Sequence, residues 1–464
     1  MLRLHDTATG QVSAVTYRTA GQASLYVCGP TVYDAPHLGH GRFALVFDVL
    51  RRYLLFCGVA VTYVSNVTDI DDKIIERAAE RGVEPGALAA TYEAVYWADM
   101  DALGVLRPDE SPHATAYVDD MVALIGRLVD RGVAYETDDG VYLSVADVPG
   151  YGLLARQPLE SLRAGARVES ADAKRSPLDF VLWKKAKPGE PTWRSPWGPG
   201  RPGWHTECVV MSLDLLGEGF DIHGGGVDLA FPHHENERAQ AVALGADFAH
   251  HWVHNGFVVV DGEKMSKSLG NFTSLDDLLG RSDARAYRLL VLRSHYRSPI
   301  EVTPDTVAQA EDGLARLDGV ARRFGLPDLL AGGPVVDGVT DAGAVDAVSV
   351  GSFRRRMDDD LDTPGALADV FDLARRANAA ADAGDARGAG RAAATVGLLC
   401  AALGLALHAT AADALDPETA ELVRRRDAAR TDRNWSLADR LRDELVALGW
   451  VVEDGPGGTA VRRS

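Results

Sequence analysis

Residues 23 to 67 constrain the fold more than any other part of the chain. ASLYVC, from Ala23 to Cys28, is an apolar run of strand length that ends in a Gly-Pro pair. From about His37 to Phe56 the apolar residues Phe43, Val46, Phe47, Leu50 and Leu54 recur at helical spacing, and Val59 to Val67 again has the composition of a strand. Strand, helix and strand in this order predict a parallel pair that begins a doubly wound sheet. The helix then starts at the carboxyl end of a strand, where sheets of this kind bind ligands.

That helix opens on HLGH, His37 to His40. At a helix start the unpaired backbone N–H groups and the positive dipole end attract phosphate, and His37 and His40 share one face. Gly39 has no side chain, so a flat adenine can approach the backbone there. Histidines that only cap the helix are the simpler alternative. A second string, KMSKS at residues 264 to 268, lies between Gly262 and Gly270. Only seven of the 48 basic residues are lysine, and Lys264 and Lys267 lie within four positions of each other. A compact, mobile ammonium suits a departing pyrophosphate, whereas a solvated surface loop is the ordinary reading of such a segment. Together the two strings predict a site that activates a carboxylate with ATP.

Length and composition set the frame. At 464 residues the chain has room for about three domains, and 46% hydrophobic with 25% charged residues is ordinary for a soluble globular protein. MLRLHDTATGQ carries no apolar run suited to a signal peptide, and the longest apolar stretch, near Val396 to Leu407, is too short to span a bilayer, so a cytoplasmic protein without membrane contact is expected. Cys28, Cys57, Cys208 and Cys400 stand far apart and predict free thiols or metal ligands, not a disulfide framework. A net charge of -19 argues against a generally basic, nucleic-acid-coating surface. From Arg424 to Ser464, however, nine arginines face seven acidic residues, a local balance of +2, which marks the tail as the docking surface or as a solvated mixed-charge helix.

The predicted organisation is an α/β chain: a doubly wound, parallel-sheet (Rossmann-like) catalytic domain with an insertion, then a helical bundle and a small C-terminal α/β domain. Residues 1–120 form the first half of the catalytic domain, 121–200 a turn-rich connective insertion with a hairpin at DDG (138 to 140), and 201–300 the second half with the KMSKS loop after a strand at Phe257 to Val260. Helical spacing over Pro304 to Arg323, Phe353 to Ala380 and Gly390 to Leu407 predicts three helices in a bundle at 301–408. A single helix at about 418 to 448 and a strand pair in WVVEDGPGGTAVRR fill 409–464.

With these motifs assembled, the chain resembles the class I aminoacyl-tRNA synthetases and, among them, the cysteinyl-tRNA synthetase family. The resemblance runs through CGPTVYDAPHLGHGR, NVTDIDDKI, RPGWHTEC, DIHGGG, FPHHENE, KMSKSLGN, MDDDLDTPGAL and EDGPGGT; leucine replaces the usual isoleucine of HIGH. It implies one zinc ion per chain on Cys28, Cys208, His233 and Glu237. Spacing alone does not find that site: there is no CxxC pair, only His233 and Glu237 stand at i and i+4, and free cysteines are commonly core residues. His205, His223 and His234 lie near the same motifs and are expected to orient ligands or substrate, with Trp204 and His234 against the substrate.

What the resemblance implies chemically is coherent. Serine differs from cysteine only by oxygen for sulfur, which an apolar pocket rejects weakly, whereas zinc binds thiolate readily. The implied reaction forms cysteinyl adenylate from L-cysteine and ATP with Mg²⁺, then transfers cysteine to tRNA(Cys). His37, His40, Lys264 and Lys267 would stabilise the leaving pyrophosphate, and the protein is expected to be a monomer. Alternatives are the cysteine ligase of mycothiol synthesis, which uses an amino-sugar acceptor, a non-catalytic RNA-binding paralogue, and a general nucleotidyltransferase.

Overall fold

The computed structural model describes residues 1–156, 174–260, 263–264, 274–327, 345–408, 417–455 and 458–463. At its centre four parallel strands lie in the order His251–Asn255, Ile222–Gly226, Gln22–Val27, Ala60–Ser65. The helix Leu38–Phe56 connects Gln22–Val27 to Ala60–Ser65, as the apolar pattern predicts, and Val46, Phe47, Leu50 and Leu54 are buried while Phe43 is only partly so. The two central strands come from distant parts of the sequence, so the crossovers diverge between them. That switch point opens a crevice at the carboxyl ends of the strands.

Close packing fixes this crevice. A Cβ on Gly224, in the middle of Ile222–Gly226, would lie 2.2 Å from the Phe47 ring, so only glycine lets the helix sit against that strand. The same helix carries buried charge. Asp48 accepts from Arg52 Nε at 2.8 Å, from Arg288 at 2.5 Å and from the Leu106 amide at 2.9 Å. Burial alone would push the Asp48 carboxyl up, yet the two guanidiniums and the amide outweigh it and hold it below the ordinary carboxylate value. Arg288 also donates to the carbonyls of Leu103 and Gly104, so the cluster ties Leu38–Phe56 to the helix Ala284–Leu292.

Between the two halves of the parallel sheet stands an antiparallel sheet in the order Ala134–Glu136, Gly140–Leu143, Phe180–Lys185, Gly200–Pro202. Val141, Leu143, Leu182 and Trp183 pack with Met121, Ile125 and Leu128 of the helix Val118–Asp130. Asp72, at the start of the helix Asp72–Arg81, receives Lys184 and Arg201 and so ties this sheet to the parallel one.

Among the described residues four helices follow: Pro304–Phe324, Ala347–Asp358, Thr363–Asp382 and Ala386–Ala402. The single helix expected over 353 to 380 is in fact two. The break holds Asp360 and Leu361 at positive φ (58° and 51°), Asp362 caps the next helix by accepting from Gly365 N at 3.0 Å, and Pro364 lies in its first turn. The strained turn is held from outside: Asp360 accepts from Tyr296 Oη and from the His5 amide, each at 2.8 Å, and from Arg297 Nε at 2.9 Å. The helix expected to reach Leu407 stops at Ala402, and Gly404 takes the left-handed conformation at φ 70°.

The tail is likewise two helices, Pro417–Thr431 and Trp435–Ala447, where one was expected. Arg433 at φ 57° turns the chain between them, and Asn434 caps the second helix, its side chain accepting from Leu437 N at 3.2 Å. The strands Trp450–Gly455 and Gly458–Arg463 pair antiparallel as expected, and Leu422, Leu441, Leu445, Trp450 and Val461 form a small separate core. No helix among the described residues is long and apolar enough to cross a membrane.

Candidate active site and metal centre

Cys28 follows the central strand Gln22–Val27, Cys208 lies on the helix Trp204–Leu216, and His233 and Glu237 bracket the start of the helix Glu235–Ala243. These segments, distant in sequence, converge on one point at the crevice. Cys28 Sγ is 3.6 Å from Cys208 Sγ and 3.3 Å from Glu237 Oε1, while His233 Nε2 is 3.6 Å from Cys208 Sγ and 3.0 Å from Glu237 Oε1. All four donor atoms fall within 4.8 Å of one another, and all four side chains are buried. A tetrahedral ion with bonds of roughly 2.0–2.3 Å needs donor separations of about 3.3–3.8 Å. Three of the measured separations fall in that range and the His233–Glu237 pair is slightly shorter, and two sulfurs, an imidazole and a carboxylate are a donor set suited to zinc.

Electrostatics point the same way. Burial pushes the Cys208 thiol up to about 11 and Cys28 well above the ordinary thiol value, with their mutual contact and Glu237 adding to the latter. Burial, then His205 and His223, drives His233 well below its ordinary value, so its imidazole is neutral, the form that ligates metal. His205 Nδ1 lies 2.8 Å from His233 Nδ1, and the tautomer in which His233 Nδ1 donates to His205 leaves Nε2 of His233 with its lone pair toward the sulfurs. Glu237 divides its oxygens: Oε2 meets His223 Nε2 at 2.8 Å while Oε1 faces the sulfurs.

The other sequence candidates gather around this cluster. The Trp204 ring stacks on His233 with centroids 3.9 Å apart and is partly exposed, forming a wall of the site. His234 is fully buried, its Nδ1 2.8 Å from His254 Nε2, and His254 Nδ1 is in turn 2.7 Å from Thr7 Oγ1. A Cβ on Gly225 would come within 2.7 Å of the His234 ring, which explains a second glycine of the DIHGGG string. His37 caps the helix Leu38–Phe56, and its ring lies 3.9 Å from that of His40. Because the His37 amide donates to His40 Nδ1 at 3.1 Å, a neutral His40 carries its proton on Nε2. Gly39 occupies the helix's first turn between them. The backbone of Lys264 pairs with Val259 in a short ladder, whereas Lys267 and the rest of KMSKS lie outside the described residues.

Three functional-site residues escape sequence reasoning. Asn66, just past the strand Ala60–Ser65, holds the Gly29 amide at 2.9 Å and places Oδ1 3.7 Å from Cys208 Sγ. It also donates to Thr68 Oγ1, which donates in turn to Glu207 at 2.8 Å. Burial, with Asp71, Asp69 and Glu237 nearby, raises the Glu207 carboxyl well above its ordinary value against the Thr68 hydrogen bond. No local pattern marks these residues, although NVTDIDDKI carries Asn66 and Thr68.

Comparison with known proteins adds an independent line. Residues 14–312 match the tRNA synthetases class I (C) catalytic domain, 352–408 the DALR domain, and 412–462 the cysteinyl-tRNA ligase anticodon binding domain. The chain is 49% identical to a cysteine–tRNA ligase of Halorhodospira halophila over 473 residues and 48% identical to that of Alkalilimnicola ehrlichii, each alignment spanning 100% of both chains. Among solved structures, Mycobacterium tuberculosis methionyl-tRNA synthetase with methionyl-adenylate is similar in fold, at TM-scores of 0.58 and 0.60 and only 17% and 15% identity. These two alignments cover 82% and 90% of this chain and 89% and 96% of the others.

Proposed function

The chain belongs to the cysteine–tRNA ligase family of class I aminoacyl-tRNA synthetases, and from that premise we propose how its own residues carry out the reaction. The activity is ligation of L-cysteine to tRNA(Cys) through cysteinyl adenylate, with ATP as the second substrate. The observation that carries the site reading is the convergence of Cys28, Cys208, His233 and Glu237, whose donor atoms all lie within 4.8 Å of one another, four of the contacts at 3.0–3.6 Å. Those four would hold one zinc ion, which when bound supplies a soft Lewis acid that favours a thiolate over a hydroxyl.

Around that point each residue has a positional task. Glu237, held by His223, and His233, held by His205, keep their ligating atoms aimed inward. Trp204, stacked on His233 and partly exposed, walls the place for the cysteine side chain, and the buried His234, held by His254, backs it. Along the switch point, His37 and His40 with the first amides of the helix Leu38–Phe56 face the phosphates of ATP across the plane that Gly39 leaves open. Lys264 and Lys267 take up the negative charge that develops on pyrophosphate as the cysteine carboxylate attacks the α-phosphorus. Mg²⁺ accompanies the ATP.

The domains divide the work. Residues 1–120 and 201–300 form the activating site, 121–200 the connective insertion, 301–408 a bundle that spaces the active site from the tail, and 409–464 the part that reads the anticodon, in a monomer acting in the cytoplasm. An amino-sugar acceptor would leave the anticodon-binding match at 412–462 without a purpose, and a non-catalytic RNA-binding role would leave HLGH, KMSKS and the cluster of Cys28, Cys208, His233 and Glu237 without one.

Metal analysis combined with ATP–pyrophosphate exchange tests the reading. We expect about one zinc per chain, exchange with cysteine, and rejection of serine by ~10⁴-fold. Cys208→Ser should weaken both metal retention and that choice. Full activity in zinc-free protein, or equal use of serine, would refute it.

A further inference from the structure

Arg42 lies two positions after HLGH and is 1% exposed, yet no carboxylate pairs with it among its described contacts. Its guanidinium donates instead to backbone carbonyls: Phe257 at 2.5 Å, Tyr296 at 3.1 Å, His295 at 3.5 Å, and Ser298. Burying a cation against neutral acceptors alone is costly, and burial draws the Arg42 guanidinium down to about 10. Phe257 directly precedes the strand Val258–Val260, whose ladder partner is Glu263–Lys264, the entry to KMSKS. Tyr296 and Ser298 belong to the loop before Ile300–Glu301, the strand that flanks Val258–Val260 on its other side.

The far side of KMSKS is fastened to the same place. Leu275 N donates to Pro36 O at 3.0 Å, Ser274 bridges to His37, and Leu275 with Tyr287 packs on the Cα of Gly41, where a Cβ would meet them at 3.0–3.2 Å. Residues 36 to 42 thus bind the chain immediately before and immediately after residues 258 to 274. One turn of the HLGH helix and the residues before it hold described residues on both sides of KMSKS, Phe257 ahead of it and Ser274 and Leu275 after it.

We infer that Arg42 is a positioning residue for adenylation: it fixes the strand that leads into KMSKS against the HLGH helix, so that the lysines and the histidines address one polyphosphate. The inference rests on the role assigned above to Lys267. A lysine at position 42 keeps the charge but cannot span the four carbonyls, because it lacks the planar fork.

The test is a double-mutant cycle on cysteine-dependent ATP–pyrophosphate exchange. Arg42→Lys should lower the exchange rate by about 10²-fold while zinc content and KM for cysteine stay at wild-type values. In a Lys267→Ala background the same change should cost less than about threefold, because the two act through one element. An additional loss as large as that of Arg42→Lys alone, or a wild-type rate in Arg42→Lys, overturns the inference and leaves the Lys267 reading intact. A wild-type rate in Lys267→Ala overturns both. Should Arg42→Lys fail to fold, amide exchange in the native protein decides: Val258 to Val260 protected as well as His251 to Asn255 supports the clamp, and exchange as fast as an open loop overturns it.

Discussion

Glu237 and His223 meet at 2.8 Å, Oε2 to Nε2, and this contact decides which carboxylate oxygen is left to face Cys28 and His233. His223 is itself fully buried and stacked on Trp252, with centroids 4.7 Å apart and planes 15° from parallel. Replacing His223 by Asn should therefore free the carboxylate to rotate and lower zinc affinity by about 10- to 100-fold, without removing any ligand. Competition with a chromophoric chelator measures this, and an unchanged affinity would mean that Glu237 needs no such support.

Removing the metal should expose a pH dependence that the loaded protein lacks. In the metal-free cluster the Cys208 thiol is raised from 9.0 to about 11 by burial. A group whose folded pKa is raised adds its full stability below its unfolded value and loses it as pH climbs toward the folded one. The stripped protein should therefore weaken from about pH 8.5 upward, while the zinc-loaded form, whose thiolates already exist, should not share that loss. Thermal midpoints of the two forms at about pH 7 and pH 10 check the sign; a gap that narrows with pH contradicts it.

Lys267→Ala should slow cysteinyl adenylate formation by ~10²-fold or more, with little change in KM for cysteine, because the lysine acts mainly in the transition state. Single-turnover adenylation separates this from an effect on product release. An unchanged rate would refute the role.

Asp48→Ala should destabilise the protein by about 3–5 kcal/mol, since it leaves Arg52 and Arg288 buried without their shared counter-charge. The Asp48 carboxyl is held below its ordinary value, so its contribution is present above about pH 4 and fades as pH falls through the folded value. Urea unfolding of the variant and the parent should therefore converge in acid. Equal midpoints at neutral pH would show that the arginines find other acceptors.

Local chemistry explains what was legible along the chain. The strand–helix–strand over residues 23 to 67 declares itself because each element's period is written in its own apolar residues. The same periodicity runs straight through 353 to 380 and 418 to 448, where the chain in fact turns. At the first break the positive φ of Asp360 and Leu361 is sustained by Tyr296, Arg297 and His5, none of them nearby in sequence. The capping residues Asp362 and Asn434 were the local signals that periodicity overran.

The metal cluster shows the same limit at the site. Its four members reach the sequence reading only through resemblance to a family, since nothing in their spacing joins residue 28 to 208 or either to 233. Asn66, Glu207 and Arg42 lie within the motifs NVTDIDDKI, RPGWHTEC and CGPTVYDAPHLGHGR, yet nothing in those strings singles them out, because their significance lies in what other segments bring to them.

The sequence by itself determined the elements around the crevice, the helix that presents His37 and His40, and, through its long motifs, the family. Only the tertiary structure decided that two sulfurs, an imidazole and a carboxylate gather with their donor atoms within 4.8 Å of one another, and that one buried arginine of the HLGH helix holds the residue before the strand Val258–Val260. The reason is physical: secondary structure follows from neighbours within a few residues, whereas a ligand set or a clamp depends on where separate strands end in the sheet, which no local pattern encodes.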